Sequence, residues 1–565
     1  MKLIIREYLS GLKESGELDW LLPNLLLTMG FEPVSHAQVG VRQFGVDVAA
    51  VKKKSNKEKI LYLFTIKQGD VNRADWDSNA QSIRPSLNDI RDVYLQKVRP
   101  EFKNHKKIIV LCTGGIIKQE VEDNWNGYTR DNTIDNKREY EFWGGDKLAL
   151  LIEKFLFSEN LLPAEFKSLF RRTLSLIGDV DYDLIDYSTI LNKSLSDKDF
   201  GDVKKSSAKA KIKKSLRTIH LCVNIIWLWS KEENNIKNAL IAAEKTSLHV
   251  WGFIVKNNLT NSPSIVKIFG VIHQTLYLIY LEYIKKIESR CYIENGLLGN
   301  SRYYLLESLN VFEQLGIVSI VGIKYKLIGE SSRDDAILKE ASTICNLTKE
   351  IIKNHQALKS PLYDNHIIEI SESILLLAMF SEFDFIENWI KELIQNISIA
   401  YNNLNKYFPI SSDSFDDLVS LNIKGEKEKG EYITMSTLFP ILAQWCCVLN
   451  LPSAYKNIRM FVNKVFPKTT LQMWYPDSET DSYIYTGNAS IKTGAVDAPM
   501  IIPDTIAGMS EMILKVQKNT VKMNTFSSIN RGYFELPIIS SRHFRTPFLP
   551  QFIQYPITSE NVKNP

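Results

Sequence analysis

The chain has 565 residues, of which 44% are hydrophobic and 24% are charged, and its formal net charge is only +4. At roughly 100–200 residues per domain, this length predicts about three domains with cores of ordinary size. The small net charge does not exclude nucleic-acid binding, because a surface can be basic locally. A basic surface therefore has to be located from the positions of particular residues.

Several classes of protein are not expected from the sequence. The six cysteines form no CxxC pair and no cluster with histidine at ligand spacing, which argues against a disulfide framework and a structural zinc site. The apolar start is broken by Arg6 and Glu7, unlike a signal peptide. The apolar stretch 268–284 carries His273 and Glu282, which is typical of a buried helix. We therefore expect a cytoplasmic protein without a membrane partner.

The first 175 residues alternate between helix and strand patterns. Apolar periodicity near 3.6 predicts helices, and short β-branched or aromatic runs predict strands. Their order (helix, two strands, helix, two strands, helix) predicts an α/β domain with a mixed sheet flanked by helices. The predicted helices span 18–29 (ending at Gly30), 79–98, 146–155 (with Asp146 as N-cap) and 166–176, and the predicted strands span 46–51, 60–66, 106–113 and 139–143, with a hairpin turn over 52–59.

The rest of the chain has a different character. Residues 176–214 are polar and predict a linker, and its lysine run at 204–214 favours a solvated segment over a phosphate contact. Residues 215–465 have helical spacing nearly throughout, which predicts a large all-α region, either a bundle or an α-solenoid. Residues 466–565 are punctuated by prolines and predict a mixed, loop-rich cap region.

Two residues in the first region suggest chemistry. Side chains alternate across a strand, so Asp47 points away from its apolar neighbours, and Thr65 and Lys67 share one face of the next strand. A turn near residues 56–57 sets Asp47 opposite Thr65 or Lys67. Either register brings the carboxylate and the ammonium group side by side.

Such a pair can hydrolyse phosphodiester bonds. The Asp47 carboxylate and the backbone carbonyl of Ile66 would bind Mg²⁺ (or Mn²⁺), which polarises a phosphate. Lys67 would orient or deprotonate the attacking water or stabilise the developing charge, and Gln68 would bridge a water or a phosphate. Taken without context, the same two residues also fit an ordinary exposed cross-strand pair, and Gln68 fits a polar strand end.

The context favours the catalytic interpretation. Four segments follow one another: a helix ending in Leu25 to Phe31, a glycine-x-aspartate strand in Gln43 to Val48, a strand Phe64 to Gln68 ending in x-Lys-Gln, and a closing strand and helix in Glu141 to Leu148. Over about residues 15–156 the sequence resembles the Mrr-like branch of the PD-(D/E)xK restriction-endonuclease-like superfamily.

The resemblance implies a Mg²⁺-dependent endodeoxyribonuclease that binds DNA. Asp47 matches the metal-binding aspartate, and Lys67 matches the catalytic lysine. Thr65 falls where the superfamily places a second acid or a glutamine, which is a departure. The second metal-binding carboxylate would then come from elsewhere, and members of this branch often carry an acid in the first helix. The candidates are Asp19, which we prefer, Glu17 and Asp70.

Other interpretations remain open. The first region also fits a degenerate nuclease fold that only binds nucleic acid, as Thr65 suggests, and a third interpretation is a protein that acts purely through protein contacts. A nuclease head on a large helical region is similar to bacterial defence proteins against phage or plasmid DNA. The helical region would then hold a protein partner, an oligomer interface or a regulatory ligand. Four basic residues after the lysine strand are candidates for a DNA cleft or a solvated helix face: Arg73, Arg84, Arg91 and Lys97.

Overall fold

The computed structural model of the protein describes residues 2–35, 44–53, 59–155, 164–179, 182–196, 200–298, 304–404, 406, 408–423, 432–486, 494–517 and 526–551. The chain divides into two compact units, an amino-terminal unit Met1–Ala242 and a carboxy-terminal unit Ala243–Pro565. This division differs from the four predicted segments.

The amino-terminal unit is built on a five-stranded mixed sheet with strand order β1-β2-β3-β4-β5. The first three strands are antiparallel, and β3, β4 and β5 are parallel. This confirms the predicted mixed sheet in an α/β domain. The strands are β1 Glu32–Ser35, β2 Val48–Lys53, β3 Lys59–Lys67, β4 Lys106–Thr113 and β5 Arg138–Trp143.

Helices surround this sheet. They are α1 Lys2–Leu9, α2 Asp19–Thr28, α3 Arg73–Asp77, α4 Ile83–Asp89, α5 Gln119–Asn132, α6 Gly145–Phe155, α7 Ala164–Ser175, α8 Ile185–Ser194 and α9 Ser206–Glu232. One face of the sheet packs against α3, α4 and α5 in a single apolar core. The middle of β3 is buried at every residue from Leu63 to Ile66, as expected for a strand covered on both faces.

Strand β1 and helix α5 are among the elements of the sheet region that escaped prediction, as are α1 and α3. Strand β1 is short and polar at its start, and α5 has only three apolar residues along one stripe, Val121, Trp125 and Tyr128. A single stripe of that kind covers the sheet without giving the segment an apolar composition. Helix α5 is the crossover that allows β4 and β5 to run parallel.

Several predicted boundaries were wrong by a few residues. The helix predicted over 79–98 begins at Ile83 and changes to a π-helical turn at Ile90–Tyr94, followed by a last α-turn at Leu95–Lys97. Asp146 lies in the first turn of α6 and is not its N-cap, because the helix already begins at Gly145. The predicted hairpin turn falls partly on residues 54–58, outside the described residues.

The stretch predicted as a linker contributes to the amino-terminal unit. Helix α8 buries Tyr187, Ile190 and Leu191. Helix α9 contacts α1, whose residues Ile5 and Leu9 are completely buried. The region 176–214 is therefore held by apolar packing, which its polar composition conceals.

The carboxy-terminal unit is largely helical, as predicted. Its helices are α10 Ile236–Lys256 (which begins in the preceding unit), α11 Pro263–Cys291, α12 Tyr304–Ser332, α13 Asp335–Asn354, α14 Ile367–Met379, α15 Phe383–Asn403, α16 Phe415–Ile423, α17 Leu438–Val448, α18 Pro452–Val465, α19 Thr480–Tyr483, α20 Ile506–Gln517, α21 Ser527–Asn530 and α22 Glu535–Phe544. Four short strands form two pairs: β6 Met435–Ser436 with β7 Thr470–Leu471, and β8 Met473–Tyr475 with β9 Ala495–Asp497.

Helix α14 is the centre of this unit. Every residue from Ile367 to Ala378 is buried, and α12, α15, α17 and α22 all contact it. Packing around one central helix is that of a bundle, because in a solenoid each repeat contacts only its neighbours. Since α22 comes from the region 466–565, that region is more than a cap on the surface.

Two helices are long and apolar enough to cross a membrane by length and composition, α11 and α12. In the most apolar window of α12, 72% of the residues are buried inside the protein, against 44% for α11. The core helices of many proteins pass the same test, so these two are weak evidence for a membrane span.

The packing of α9 on α1 predicts how the amino-terminal unit can be shortened. A fragment ending at Asn234, in the turn after α9, should melt cooperatively. A fragment ending at residue 175 should melt at a lower temperature, because it loses the packing of α9 on α1 while α6 still covers part of α1, and each buried apolar side chain that becomes fully exposed costs about 1.5–3 kcal/mol. Circular dichroism melts of the two fragments test this. Equal melting temperatures would show that α9 is dispensable.

Candidate active site in the amino-terminal unit

Asp47 lies at the entrance of β2, one residue before the strand begins. Its backbone N–H donates to the carbonyl of Phe64 at 2.8 Å, and its Oδ2 accepts a hydrogen bond from the N–H of Ile66 at 2.7 Å. The strand was predicted to begin at Val46, but it begins at Val48, so the prediction was wrong by two residues and Asp47 lies just outside the strand. The Asp47 side chain takes the place of a backbone acceptor for β3, which fixes the carboxylate at the edge of the ladder.

Gly45 explains why the chain can enter the strand at this angle. Its φ is +81°, a left-handed conformation that favours glycine, and an added Cβ would collide with the carbonyl group of Ser86 at the end of the first turn of α4. The glycine of the glycine-x-aspartate motif is therefore required by the backbone two residues before Asp47.

The register of the hairpin decides which residue faces Asp47. Val48 pairs with Phe64, so one further step places Asp47 opposite Thr65. Of the two registers that the sequence allowed, the structure therefore has the one with Thr65 and not Lys67 directly across. Thr65 is buried, with 1% of its surface exposed.

Lys67 is the last residue of β3, and its ammonium group meets an acid that the sequence did not single out. The Lys67 Nζ lies 3.3 Å from Oε1 and 3.4 Å from Oε2 of Glu14. The Lys67 side chain is 18% exposed and that of Glu14 41%, so the pair is screened by solvent and worth little as a source of stability. Its effect is to hold the ammonium group at the end of β3.

A π-helical turn carries this acid. The turn spans Glu14–Leu18, leads directly into α2 at Asp19, and contacts β3. The N–H of Asp19 donates to the carbonyl of Glu14, which is the i→i+5 bond of a π-helix. π-helical turns are rare and are frequent at functional sites.

The same turn explains why Glu14 could not be predicted. In an α-helix, residues five apart point about 140° away from each other at 3.6 residues per turn. In the π-helical turn Glu14 and Asp19 come to the same side, and both carboxylates act on Asp47. The only sequence signal was the density of acids: Glu14, Glu17 and Asp19 within six residues.

The environment of the Asp47 carboxylate makes it harder to ionise than an ordinary aspartate. Burial raises its pKa from 3.8 to about 6, and the negative charges of Glu14 and Asp19 act in the same direction. The hydrogen bond from the Ile66 amide and the charge of Lys67 lower the pKa of Asp47, but by less than burial raises it. The Oδ1 atom of Asp19 is buried and has no hydrogen-bond partner among the described residues. Negative charge is therefore in excess at this site.

The other predicted site residues have different environments. Glu17 accepts from the backbone N–H of Lys13 at 2.7 Å and forms an ion pair with Lys214 on α9. Asp70 is exposed in the turn after β3 and accepts from the N–H of Ile116 at 3.1 Å. Both carboxylates thus have local structural roles.

Two predicted residues lie next to Lys67 along the chain. Ile66 pairs with Cys112 of β4, its side chain is buried, and its N–H is occupied by Asp47. Gln68 is exposed just past the end of β3, and within the described residues it makes no hydrogen bond to Asp47 or Lys67. The structure therefore brings together Asp47, Thr65, Ile66, Lys67, Asp19 and Glu14, without Gln68 or Asp70.

The basic residues that follow β3 mostly have neighbours of their own. Arg84 pairs with Asp77 at 2.9 Å, Arg91 pairs with Asp92 at 2.7 Å, and the Lys97 Nζ lies 4.2 Å from the centre of the Phe44 ring. Arg73 is exposed. These contacts fit the interpretation of a solvated helix face for most of the set.

Comparisons with known proteins found no counterpart. No family model matches the chain, and no curated protein and no solved structure matches it. The relation to the PD-(D/E)xK superfamily therefore remains a hypothesis that depends on the residues described above.

The donor set at this site suits a hard divalent cation. The described residues contain no group of three or more His, Cys, Asp or Glu side chains placed to hold a metal ion. Mg²⁺, however, usually binds through one or two carboxylates and completes its shell with water. Asp47 and Asp19 supply two carboxylates. The Oδ1 of Asp19, which has no hydrogen-bond partner among the described residues, is suited to bind a cation.

The raised pKa of Asp47 predicts an unusual effect on stability. Between pH 3.8 and about 6 the folded protein binds more protons than the unfolded chain, so stability falls as pH rises through this window. Asp47→Asn removes the charge and keeps an acceptor for Ile66. The variant should be more stable than the wild type at pH 8, by roughly 2–3 kcal/mol for a shift of about two units.

Thermal melts at pH 8 and below pH 3.8 measure this difference, which should vanish at the lower pH because Asp47 is then neutral in both states. Asp123→Asn, on the exposed side of α5, is the matched control and should change little. A variant that melts below the wild type at pH 8 would contradict the described electrostatics.

Proposed function

We propose that the amino-terminal unit is a metal-dependent endonuclease of the PD-(D/E)xK type that hydrolyses phosphodiester bonds of DNA. The observation that carries this proposal is the placement of Asp47 and Lys67 at the same end of two adjacent antiparallel strands, next to two further carboxylates. Catalysis of phosphoryl transfer depends mainly on positioning and electrostatics, and this arrangement supplies both.

Mg²⁺ or Mn²⁺ would be held by Asp47 and Asp19, with the carbonyl of Ile66 as a neutral donor. When bound, the cation supplies Lewis-acid polarisation of the phosphate and offsets the negative charge of the carboxylates. Asp47 has to be ionised for this role, and with a pKa of about 6 it is mostly anionic at neutral pH and above.

Lys67 would act on the water and on the phosphate. Its ammonium group donates hydrogen bonds that orient the attacking water and stabilise the charge that develops on the phosphate oxygens. Glu14 holds this group in place, at 3.3 Å. The attacking water loses a proton as its oxygen bonds to phosphorus. An ammonium group has no lone pair, so the charged Lys67 cannot accept that proton. A substrate oxygen or solvent has to receive that proton.

A basic segment next to the site supports a polyanionic substrate. The lysine run continues into the start of α9, and Lys214 on that helix pairs with Glu17 in the π-helical turn. Lys204, Lys205 and Lys211 are exposed on the same segment. The sequence predicts a linker that becomes the start of a helix over this run, but it does not predict the ion pair of Lys214 with Glu17. Lysines placed along a helix can follow a phosphate backbone.

A second candidate function is nucleic-acid binding without cleavage. It is favoured by Thr65, which offers no carboxylate at the position facing Asp47, and by the incomplete metal-binding group among the described residues. Binding that persists without any metal-dependent cleavage would support this candidate over the nuclease.

Single substitutions at the two central residues test the nuclease. Asp47→Ala and Lys67→Ala should each reduce cleavage roughly a hundredfold or more, as removal of one essential electrostatic group does in other enzymes. The assay is nicking of supercoiled plasmid with Mg²⁺ or Mn²⁺, with EDTA as the blank. Asp123→Ala and Lys103→Ala, at exposed positions, are matched controls that should retain activity. Full activity in both test variants would show that this is not the active site.

The role of Asp19 is tested by metal titration. Asp19→Asn keeps the shape and removes a carboxylate charge, so the variant should need much more Mg²⁺ for half-maximal cleavage. Asp70→Asn and Glu17→Gln should need no more than the wild type, because both carboxylates have other partners. Thr65→Glu should be tolerated or lower the requirement. If Asp19→Asn keeps the wild-type requirement, Asp19 is not the second ligand.

A further inference from the structure

The carboxy-terminal unit contains a pocket of about 310 Å³ that includes none of the residues of the candidate active site. This volume is at the lower end of the range of about 300–1,000 Å³ found for small-molecule sites. The pocket is lined by Leu309, Glu313, Tyr363, His366, Glu369, Asp413, Arg542, His543 and Arg545. Most of these side chains are charged or carry a hydrogen-bonding group.

Arg542 provides the first argument for a ligand. Its side chain is only 6% exposed, and it forms an ion pair with Glu244 through Nη2. Its Nη1 is buried and has no hydrogen-bond partner in the part of the chain that the structure describes. A buried, charged donor strongly favours an acceptor, and a guanidinium group suits a carboxylate or a phosphate.

Two further donors line the same pocket. The hydroxyl of Tyr363 is buried and unpartnered among the described residues. His366 stacks on Phe312 with 3.9 Å between ring centres, and its Nδ1 accepts from the N–H of Leu362 at 3.2 Å. Burial lowers the pKa of His366 well below its ordinary value, so the ring is neutral and its proton is on Nε2. Arg542, Tyr363 and His366 thus offer donors to an acceptor-rich group.

The acids of the pocket restrict the kind of anion that fits. Glu369 is neutralised by Arg545, at 2.5 Å. Asp413 is exposed and accepts from the side chain of Asn365 at 2.6 Å, and Glu313 lines the same pocket. Acids that line the same space repel a multiply charged anion and attract a cationic group.

We propose that this pocket binds a small zwitterion of the α-amino acid class. Its carboxylate would accept from Arg542, Tyr363 and His366. Its ammonium group would face Glu313 and Asp413. The inference is independent of the nuclease assignment, because every residue it uses lies in the carboxy-terminal unit.

Thermal-shift measurements on the full chain test the proposal, with each standard L-amino acid at millimolar concentration as the probe. At least one should raise the melting temperature, because a ligand that binds only the folded state stabilises it. Acetate and methylammonium each carry half of the required chemistry and should have little effect, as should inorganic phosphate. Calorimetric titration then gives the affinity of the amino acid that shifts the melt most.

Two variants test whether the amino acid binds in this pocket. Tyr363→Phe removes a hydroxyl that bonds nothing in the described protein, so the unliganded melting temperature should stay the same. The affinity should fall about tenfold, as expected for a hydrogen bond to a charged group. Leu309→Trp fills the pocket without removing a charge and should abolish binding. Tyr140→Phe, in the other compact unit, is the matched control and should bind like the wild type.

Three results would overturn the proposal. The first is the absence of a shift with every amino acid. The second is an equal shift with phosphate or acetate, which would make the pocket a simple anion site. The third is unchanged affinity in both Tyr363→Phe and Leu309→Trp, which would place the binding elsewhere.

Discussion

The burial of the Asp47 carboxylate beside two other acids is the constraint on which the amino-terminal unit depends. A carboxylate in this position is costly, and its pKa rises to about 6 as a result. It is kept there by one hydrogen bond from the Ile66 amide and by a glycine that turns the chain into β2. Repulsion between these acids lowers the stability of the fold at this site. Local instability of this kind is typical of sites that bind cations or substrates.

The π-helical turn is the second part of this arrangement. An α-helix through Glu14–Leu18 would have separated the two acids, and the π-helical turn brings them to one side. Each acid then has a distinct environment: Glu14 pairs with Lys67, whereas an oxygen of Asp19 has no protein partner. One carboxylate is therefore engaged in positioning the lysine, and the other is available to a ligand.

Four of the five strands of the large sheet, and the two residues Asp47 and Lys67, could be predicted because they depend on local patterns. Alternation placed Thr65 and Lys67 on one face, and the β-branched runs located β3 and β4. The helix α5 was missed because only three apolar residues mark it. Glu14 was missed because a π-helical turn follows from tertiary packing and not from helical periodicity. The 176–214 segment was misjudged because composition records its lysines, whereas its fold depends on a few buried residues such as Tyr187.

The carboxy-terminal unit shows a related use of buried charge. Glu244 is paired with Arg542 and with His543. Burial raises the pKa of Glu244, but the Arg542 guanidinium and the hydrogen bond from His543 outweigh it and hold that pKa at about 2. Glu535 likewise meets Lys324 and His273 in the interior. Buried ion pairs contribute little net stability compared with apolar packing, but a mispaired helix would leave a charge without a partner. These pairs therefore select one arrangement of α10, α11, α12 and α22 over others.

The contact between α9 and α1 has a consequence for the order of folding. Helix α9 also reaches the π-helical turn that follows α1, through the ion pair of Lys214 with Glu17, and these two residues are 197 residues apart in the chain. Contacts of such long sequence separation form late, because the entropy of closing the loop has to be overcome first. During synthesis α1 can pack on α6 first, and it gains its contact with α9 only after that helix has left the ribosome. Of the acids in the π-helical turn, Glu17 therefore gains its partner late, whereas Lys67, the partner of Glu14, is synthesised much earlier.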